Sequence, residues 1–389
     1  MRSTPARFNT RRNASRLALL ASSGAITFLV ACAAPALSGG VISDRGGTPS
    51  ASASQVARAT STAQAVEGVQ GVLGVGMTVR DLDASVEWYR DVLGFTLVEE
   101  SEDVGPAVEQ LTGVFGVRSR TARMSLGQET IELTQYLAPE GRSIPEDSRS
   151  NDRWFQHIAI VVRDIGDAYR HLRAHKVRHA STGPQTLPAW NTNAAGISAF
   201  YFKDPDGHVL EVIHFPAGKG DPKWRALAAQ SDAPLFLGID HTAIVVADTR
   251  ASLAFYQGVL GMRIAGGSEN HGDEQAHLNN VEGAHLRITT LKAQGDTPGP
   301  GVELLEYVSP RDGRAYPLDA RPNDLLHWHT IVRAPSVGAT FDAVSQRRRT
   351  PQPASISRGV VDNAPRVGTT AQAAMVRDPD GHALLLQGK

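Results

Sequence analysis

The chain repeats itself, and no other feature limits its possible folds so strongly. The segment from Asp81 to Phe95 (DLDASVEWYRDVLGF) is echoed from Asp248 to Met262 (DTRASLAFYQGVLGM), with Ser85/Ser252, Tyr89/Tyr256, Leu93/Leu260 and Gly94/Gly261 in register. Farther on, KDPDGH at Lys203 to His208 returns as RDPDGH at Arg377 to His382. Two related modules therefore lie in tandem. Each divides again, because HIAIVVRD from His157 to Asp164 matches HTAIVVAD from His241 to Asp248. Four units result, near residues 71–136, 153–215, 237–307 and 325–387.

Every unit has the same local logic. A β-rich run such as Ala243 to Val246 meets an Asp, which caps the next helix by accepting backbone N–H bonds. The helix buries Leu253, Phe255, Tyr256, Val259 and Leu260, and Gly261 ends it where a positive φ is cheap for glycine. Short strands follow, and the Asp-Pro-Asp-Gly pieces read as hairpin turns that leave His208 and His382 exposed. The pattern predicts an α+β fold of four βαβββ units. One helix cannot cover both faces of so small a sheet, so the units are expected to pair into two curved-sheet cups. The expected boundaries are a first module at 70–216, a linker at 217–236 and a second module at 237–389.

With 389 residues, 41% hydrophobic, and Lys+Arg 39 against Asp+Glu 40, the chain has material for two cores and excludes collagenous or wholly disordered classes. A net charge of -1 gives no electrostatic footprint for nucleic acid, and the run Arg347 to Arg349 reads as a solvated helix end. The N-terminus is different. Arg2, Arg7, Arg11, Arg12 and Arg16 precede an almost uncharged apolar stretch from Leu17 to Ala31, the layout of a signal peptide over residues 1–31. Leu29-Val30-Ala31-Cys32 resembles a bacterial lipobox, which implies a lipid on Cys32 and attachment to a membrane. Residues 32–69, mostly small and polar, then read as a lipidated tether. Ala33 is not acidic, so the expected address is periplasm-facing on the outer membrane. The single cysteine allows no internal disulfide.

The order of elements, the helix-entry motif and the Asp-Pro-Asp-Gly turns together resemble the vicinal-oxygen-chelate superfamily, which includes glyoxalase I, methylmalonyl-CoA epimerase, extradiol dioxygenases and bleomycin-resistance binding proteins. The resemblance covers roughly residues 70–388. It implies a divalent metal in the cup of a paired sheet, held by residues of the first and last strands of each unit. The first-strand position, seven residues before the helix-entry Asp, is Gly74, His157 or His241, and matching Val332-Arg333 to Val162-Arg163 adds His327, with His329 on the same face as a substitute. The last-strand position is Glu132, Glu211 or Glu303, and Leu385 in the fourth unit. Imidazole and carboxylate ligands together suit Zn, Ni, Co, Mn or Fe(II) and leave open positions for two neighbouring substrate oxygens.

Two pairings of the units are open. Sequential pairing gives one cup with Glu132, His157 and Glu211 and another with His241, Glu303 and His327. Exchanged pairing gathers His157, Glu211, His241 and Glu303 in one cup, which is the preferred metal set. It leaves Glu132 and His327 as the second choice, with Gly74 and Leu385 marking a dead site. The glyoxalase I resemblance implies that Glu211, which matches the carboxylate that moves a proton there, is the catalytic base, with a proton affinity raised by its apolar strand. His214, on the opposite face of that strand, reads as structural. The functional expectation is an exported, metal-dependent lyase or isomerase acting on a small chelating oxygenated substrate. The alternatives are a metal-poor protein that sequesters a small molecule and an extradiol-type dioxygenase, the latter disfavoured by Leu385. Glutathione adducts and CoA thioesters, the substrates that the resemblance brings to mind, are cytosolic and do not meet an exported lipoprotein in quantity.

Overall fold

The computed structural model describes residues 67–295, 297–346, 353–364 and 372–388. The segment read as a signal peptide, Cys32, most of the segment read as a tether and Arg347 to Arg349 lie outside the described residues.

The helix-entry motif behaves as its chemistry requires. Asp81, Asp164 and Asp248 sit in extended conformations, and each accepts a hydrogen bond from the backbone N–H three residues on, capping α1 (Leu82–Leu93), α3 (Ile165–Ala174) and α5 (Thr249–Tyr256). Gly94 ends α1 with φ 76°, whereas α5 stops at Tyr256 and unwinds through a turn before Gly261 takes φ 66°. In the fourth unit the cap is Ser336, whose hydroxyl accepts from Ala339 N–H at 3.2 Å at the start of α7 (Val337–Ser345).

The strands form two sheets. Sheet A runs β15 (Val361–Asp362), β16 (Gln372–Arg377), β17 (Ala383–Gly388), β14 (Trp328–Arg333), β1 (Gly71–Val79), β4 (Glu129–Ala138), β3 (Arg118–Leu126), β2 (Thr96–Val104). Sheet B runs β11 (Arg263–Asn270), β12 (His285–Lys292), β13 (Gly301–Ser309), β10 (Phe236–Val246), β5 (Gln156–Val162), β9 (Val209–His214), β8 (Ser198–Lys203), β6 (Arg178–His179), with β7 (Gln185–Thr186) beside β8. Units one and four thus share sheet A, and units two and three share sheet B. The exchanged pairing is the one adopted.

The cores are distributed the other way. One apolar cluster joins Tyr89 and Leu93 of α1 to Ala168 and Leu172 of α3, between Met77 and Ile131 of sheet A and Ile160 and Phe200 of sheet B. A second joins Phe255 and Tyr256 of α5 to Val337 and Val344 of α7 in the same manner. Units adjacent in sequence therefore share a helix-containing core, while units that share a sheet come from different modules. Burying a side chain the size of Phe200 contributes about 1.5–3 kcal/mol, so neither unit of a module can leave its sequence neighbour cheaply.

Several features exceed the βαβββ expectation. Units one and three each insert a second short helix, α2 (Pro106–Thr112) and α6 (Asp273–Asn279), and α6 packs on β7 and β8 of unit two. The segment read as a linker contains α4 (Pro222–Ala228), whose Trp224 is buried. His208 and His382 are buried, not exposed. The His208 ring bonds to Asp204 and to the Leu325 carbonyl, and His382 Nε2 bonds to the Val245 carbonyl, both at 2.8 Å. Tyr89 and Tyr256 donate to Asp204 and Asp378 of the same turns, so each Asp-Pro-Asp-Gly turn is an internal staple between units. His214 is half-buried on β9.

Two matching clamps close the sheets at their ends. Arg142, after β4, binds Asp324 at 2.7 Å and Asp319 at 2.6 Å, and Arg314, after β13, binds Asp152 at 2.6 Å and Asp147 at 2.9 Å. Burial alone would raise the Asp152 and Asp324 carboxyls, but the guanidinium and backbone N–H donors overcome it and hold both below the ordinary range.

Candidate metal centre

The middle of sheet B explains how four residues from four strands meet. On antiparallel β5 and β10, His157 lies opposite Ala243, and His241 lies opposite Ala159. The parallel neighbours extend both rows: Glu303 pairs with Ala243 and Glu211 with Ala159. Each row is a His and a Glu flanking an alanine, and residues paired in register share a face of the sheet. The two alanines keep the space between the polar side chains open.

The polar groups converge there. His157 Nε2 is 3.1 Å from Glu211 Oε2, and His241 Nε2 is 3.6 Å from the same oxygen and 3.4 Å from Glu303 Oε2. One ligand atom from each of His157, Glu211 and His241 lies within 4.8 Å of the others, and all three residues are buried. Glu303 stands at the edge of this triad, its other oxygen accepting from the Thr290 hydroxyl at 2.7 Å. Behind His241, Asp240 Oδ2 lies 3.0 Å from Nδ1, and the indole N–H of Trp224 donates to Asp240 Oδ1 at 2.7 Å. That arrangement commits Nδ1 to Asp240 and leaves Nε2 facing the cluster.

The residues fit a divalent ion. Ligand distances of about 2.0–2.2 Å place neighbouring ligands about 3.0–3.6 Å from each other, and the three imidazole–carboxylate approaches at 3.1, 3.4 and 3.6 Å are compatible with that. Both ring nitrogens of His157 are buried without a hydrogen-bond partner among the described residues, although Nε2 approaches Glu211. A buried polar atom left in this way costs free energy unless something else satisfies it. Two imidazoles with one or two carboxylates form a borderline donor set that suits the first-row divalent metals.

The electrostatics correct one expectation. Burial would raise the Glu211 carboxyl, yet the imidazoles of His157 and His241 beside it outweigh burial and hold it below the ordinary range. The apolar strand does not decide its protonation. His241 moves the other way: burial would lower it, but Glu303, Asp240 and Glu211 push it well above the usual imidazole value.

The cluster lies on the wall of a cavity of about 610 Å³ between sheet B, the loop after β7 and the edge strand β11. Apolar side chains such as Leu187, Ile197, Ile213 and Leu278 line it alongside Tyr201, Asn193 and Gln275.

Sheet A carries the degenerate copy. The row equivalent to His241, Ala159 and Glu211 is Gly74, Ile331 and Leu385, and the row equivalent to His157, Ala243 and Glu303 is His329, Gly76 and Glu132. The fourth-unit histidine is thus His329 and not His327. Ser336, seven residues after His329, is the helix cap, so matching Val332-Arg333 to Val162-Arg163 misplaces the register by two residues. The His329 ring lies over Gly76, where a Cβ would come within 2.1 Å of it. Glu132, His327 and His329 are all buried in this second cup, with the first row wholly apolar. Asp240 and Trp224 escaped the sequence reading because neither lies at a repeated position. The adjacency of an acid to His241 was the only available signal.

Comparisons with known proteins agree with this architecture. The family model of the Glyoxalase/Bleomycin resistance protein/Dioxygenase superfamily matches twice, over residues 71–212 and 238–386. The chain is 34% identical over 167 residues to a 2-epi-5-epi-valiolone epimerase of Actinomyces sp, covering 40% of this chain and 86% of that one. It is 28% identical over 142 residues to the lactoylglutathione lyase of Haemophilus influenzae, covering 36% of this chain and 90% of that one. A glyoxalase I variant from Zea mays superimposes with a TM-score of 0.51 at 16% identity, over 82% of this chain and 93% of that one, a likeness of fold. With both modules matched and the paired sheets in place, the chain belongs to the glyoxalase/bleomycin resistance protein/dioxygenase superfamily.

Proposed function

We propose that the chain is a divalent-metal-dependent enzyme of isomerase or lyase type, acting on a small molecule with vicinal oxygens in the cup of sheet B. The observation that carries this reading is the buried convergence of His157, Glu211 and His241 on one point of a cavity large enough for a substrate. Glu303 completes the set. When bound, a Zn, Ni, Co, Mn or Fe(II) ion supplies Lewis-acid polarisation of the substrate oxygens. The chain's own groups do the rest. Asp240 and Thr290 fix the orientation of His241 and Glu303, while Leu187, Ile213 and Leu278 exclude water from the inner wall. Glu211, with one oxygen within reach of both imidazoles, is assigned the transfer of a proton to or from the substrate carbon that bears one of the vicinal oxygens and adjoins the carbon bearing the other. The similarity to an epimerase and to a lactoylglutathione lyase supports proton-transfer chemistry of this kind.

The test is metal content of the full chain after reconstitution with each of the five ions and dialysis. His157→Ala, Glu211→Ala and His241→Ala are each expected to lose most of the metal, since one lost ligand removes a bond and the geometry together. Glu132→Ala and His329→Ala are expected to leave it unchanged. A wild-type chain that retains none of the ions overturns the enzyme reading in favour of a small-molecule binding protein. We further propose that the chain is exported and lipid-anchored at Cys32, a reading supported by the Arg-rich start, the apolar stretch and the Leu-Val-Ala-Cys sequence.

A further inference from the structure

One row of sheet B continues past the metal cluster to a pair of cations. Starting from Glu211, the paired residues run Ala159, His241 and Gly301. The register that sets Leu291 against Val302 then brings Lys292 opposite Gly301, and Arg263 pairs with Lys292. At about 4.8 Å per strand, Lys292 stands about 10 Å from His241, backbone to backbone, and Arg263 one strand beyond. Glu211, His241, Gly301, Lys292 and Arg263 all line the same cavity. Gly301 leaves the wall between the cations and the ligands without a side chain; a Cβ there would touch His241 Cβ at 3.7 Å.

Neither cation is used by the fold. Lys292 is half-buried and Arg263 exposed, and among the described residues neither side chain forms a hydrogen bond or an ion pair. Lys292 contributes a coulombic attraction to Asp240, whose hydrogen bonds go to Trp224 and His241.

The duplicated cup provides an internal comparison. Units one and three keep a constant spacing of 167 residues from Gly94/Gly261 through the following two strands, so Thr96 stands for Arg263 and Ser125 for Lys292. The pairing is the same, Thr96 with Ser125, and even the register shifts recur between Leu97 and Glu99 and between Ile264 and Gly266. The cup that has lost half its ligand set carries Thr and Ser where the complete cup carries Arg and Lys. Backbone geometry is common to both, so it does not account for the charges.

We propose that Arg263 and Lys292 form an oxyanion subsite, binding a carboxylate or phosphate on the far end of a substrate whose vicinal oxygens face His157, Glu211, His241 and Glu303. The substrate is then an anionic hydroxy- or oxo-compound, extended along the row through the gap over Gly301. Arginine supplies a planar fork for two oxygens and lysine a point charge beside it. This inference rests on the proposed metal function for the orientation of the substrate, but the cation pair is testable without it.

The experiment is calorimetric titration of the zinc-reconstituted full chain with glycerate, malate and 3-phosphoglycerate, which share a hydroxy-acid end and differ in the group opposite. Wild type is expected to bind malate or 3-phosphoglycerate at least about 10-fold more tightly than glycerate. The compound preferred identifies the source of the oxyanion. Arg263→Met/Lys292→Met is expected to abolish that preference while leaving zinc stoichiometry and glycerate affinity unchanged, and unchanged thermal unfolding checks its fold. No preference in wild type, or a preference that survives in the variant, overturns the subsite. Should wild type take up none of the five ions, the metal reading fails by itself. Inorganic phosphate titrated into the metal-free chain then decides, with binding that the double variant loses supporting the subsite and binding absent or unaffected overturning it.

Discussion

Asp240 offers the sharpest perturbation of the metal centre because it touches no other candidate ligand than His241. Its two oxygens are both committed, one to His241 Nδ1 at 3.0 Å and one to the Trp224 indole at 2.7 Å. In Asp240→Ala, the imidazole loses the partner that fixes its tautomer and ring angle. Partners of this kind typically contribute a factor of about 10–100 in metal affinity, or about 1.4–2.7 kcal/mol. The variant also leaves the buried Trp224 N–H unpaired, at a stability cost of about 1–3 kcal/mol. Trp224→Phe separates the two effects: it keeps Asp240 on His241 and removes only the second anchor, so its affinity should fall by less than that of Asp240→Ala. Zinc competition against a chromophoric chelator measures affinity, and urea titration measures stability. Zinc affinity in Asp240→Ala within 2-fold of wild type would falsify the assignment of Asp240 as the residue that orients His241. So would equal losses in the two variants.

Two further outcomes are expected, the first from the structure and the second from the proposed anchor. The Asp152 and Asp324 carboxyls are lowered on folding, so their contribution is present above the unfolded value near pH 4 and is lost as pH falls through the lower folded value. Arg142→Met and Arg314→Met should each cost about 1–3 kcal/mol at pH 7, because the buried carboxylate loses its charged donor and keeps only its backbone N–H bonds, and that gap to wild type should narrow below about pH 4 in urea titrations; a gap equal at pH 3 and pH 7 refutes the clamp. At the N-terminus, Cys32→Ala should move the protein from the membrane to the soluble fraction on centrifugation, and persistence with lipid contradicts the anchor.

Much of the centre was legible because two simple periods mark it. The family resemblance points to the first and last strands of each unit, a His seven residues before a helix-capping Asp and a Glu inside an apolar last strand mark those positions as His157, His241, Glu211 and Glu303, and the strand register places them on one face. The same spacing holds in the fourth unit, from His329 to Ser336, but the cap there is a serine two residues farther from Val332-Arg333 than Asp164 is from Val162-Arg163, so matching those pairs pointed to His327. His208 and His382 were misread because the turn motif is local, whereas their burial comes from carbonyls of Leu325 and Val245 far along the chain. The sign of the Glu211 shift was missed for a similar reason: strand composition reports burial, but not the two imidazoles that outweigh it. The choice between sequential and exchanged pairing was not legible either, since both bury the same apolar periodicities.

That exchange has a stoichiometric consequence. Cutting the chain between residues 216 and 236 would give two halves, each with two units and a shared helical core but with unmatched strands at the centre of both sheets. Each half would be a protomer in need of a mate. A homodimer of first halves would assemble cups holding Glu132, His157 and Glu211, and a homodimer of second halves cups holding His241, Glu303 and His329. Either dimer would own two identical three-residue sites. Tethering unlike halves in one polypeptide redistributes the same inventory into one full site and one remnant, so that the intact monomer is a heterodimer in all but its covalent bond, and mixing the two halves should restore a four-residue centre that neither possesses alone.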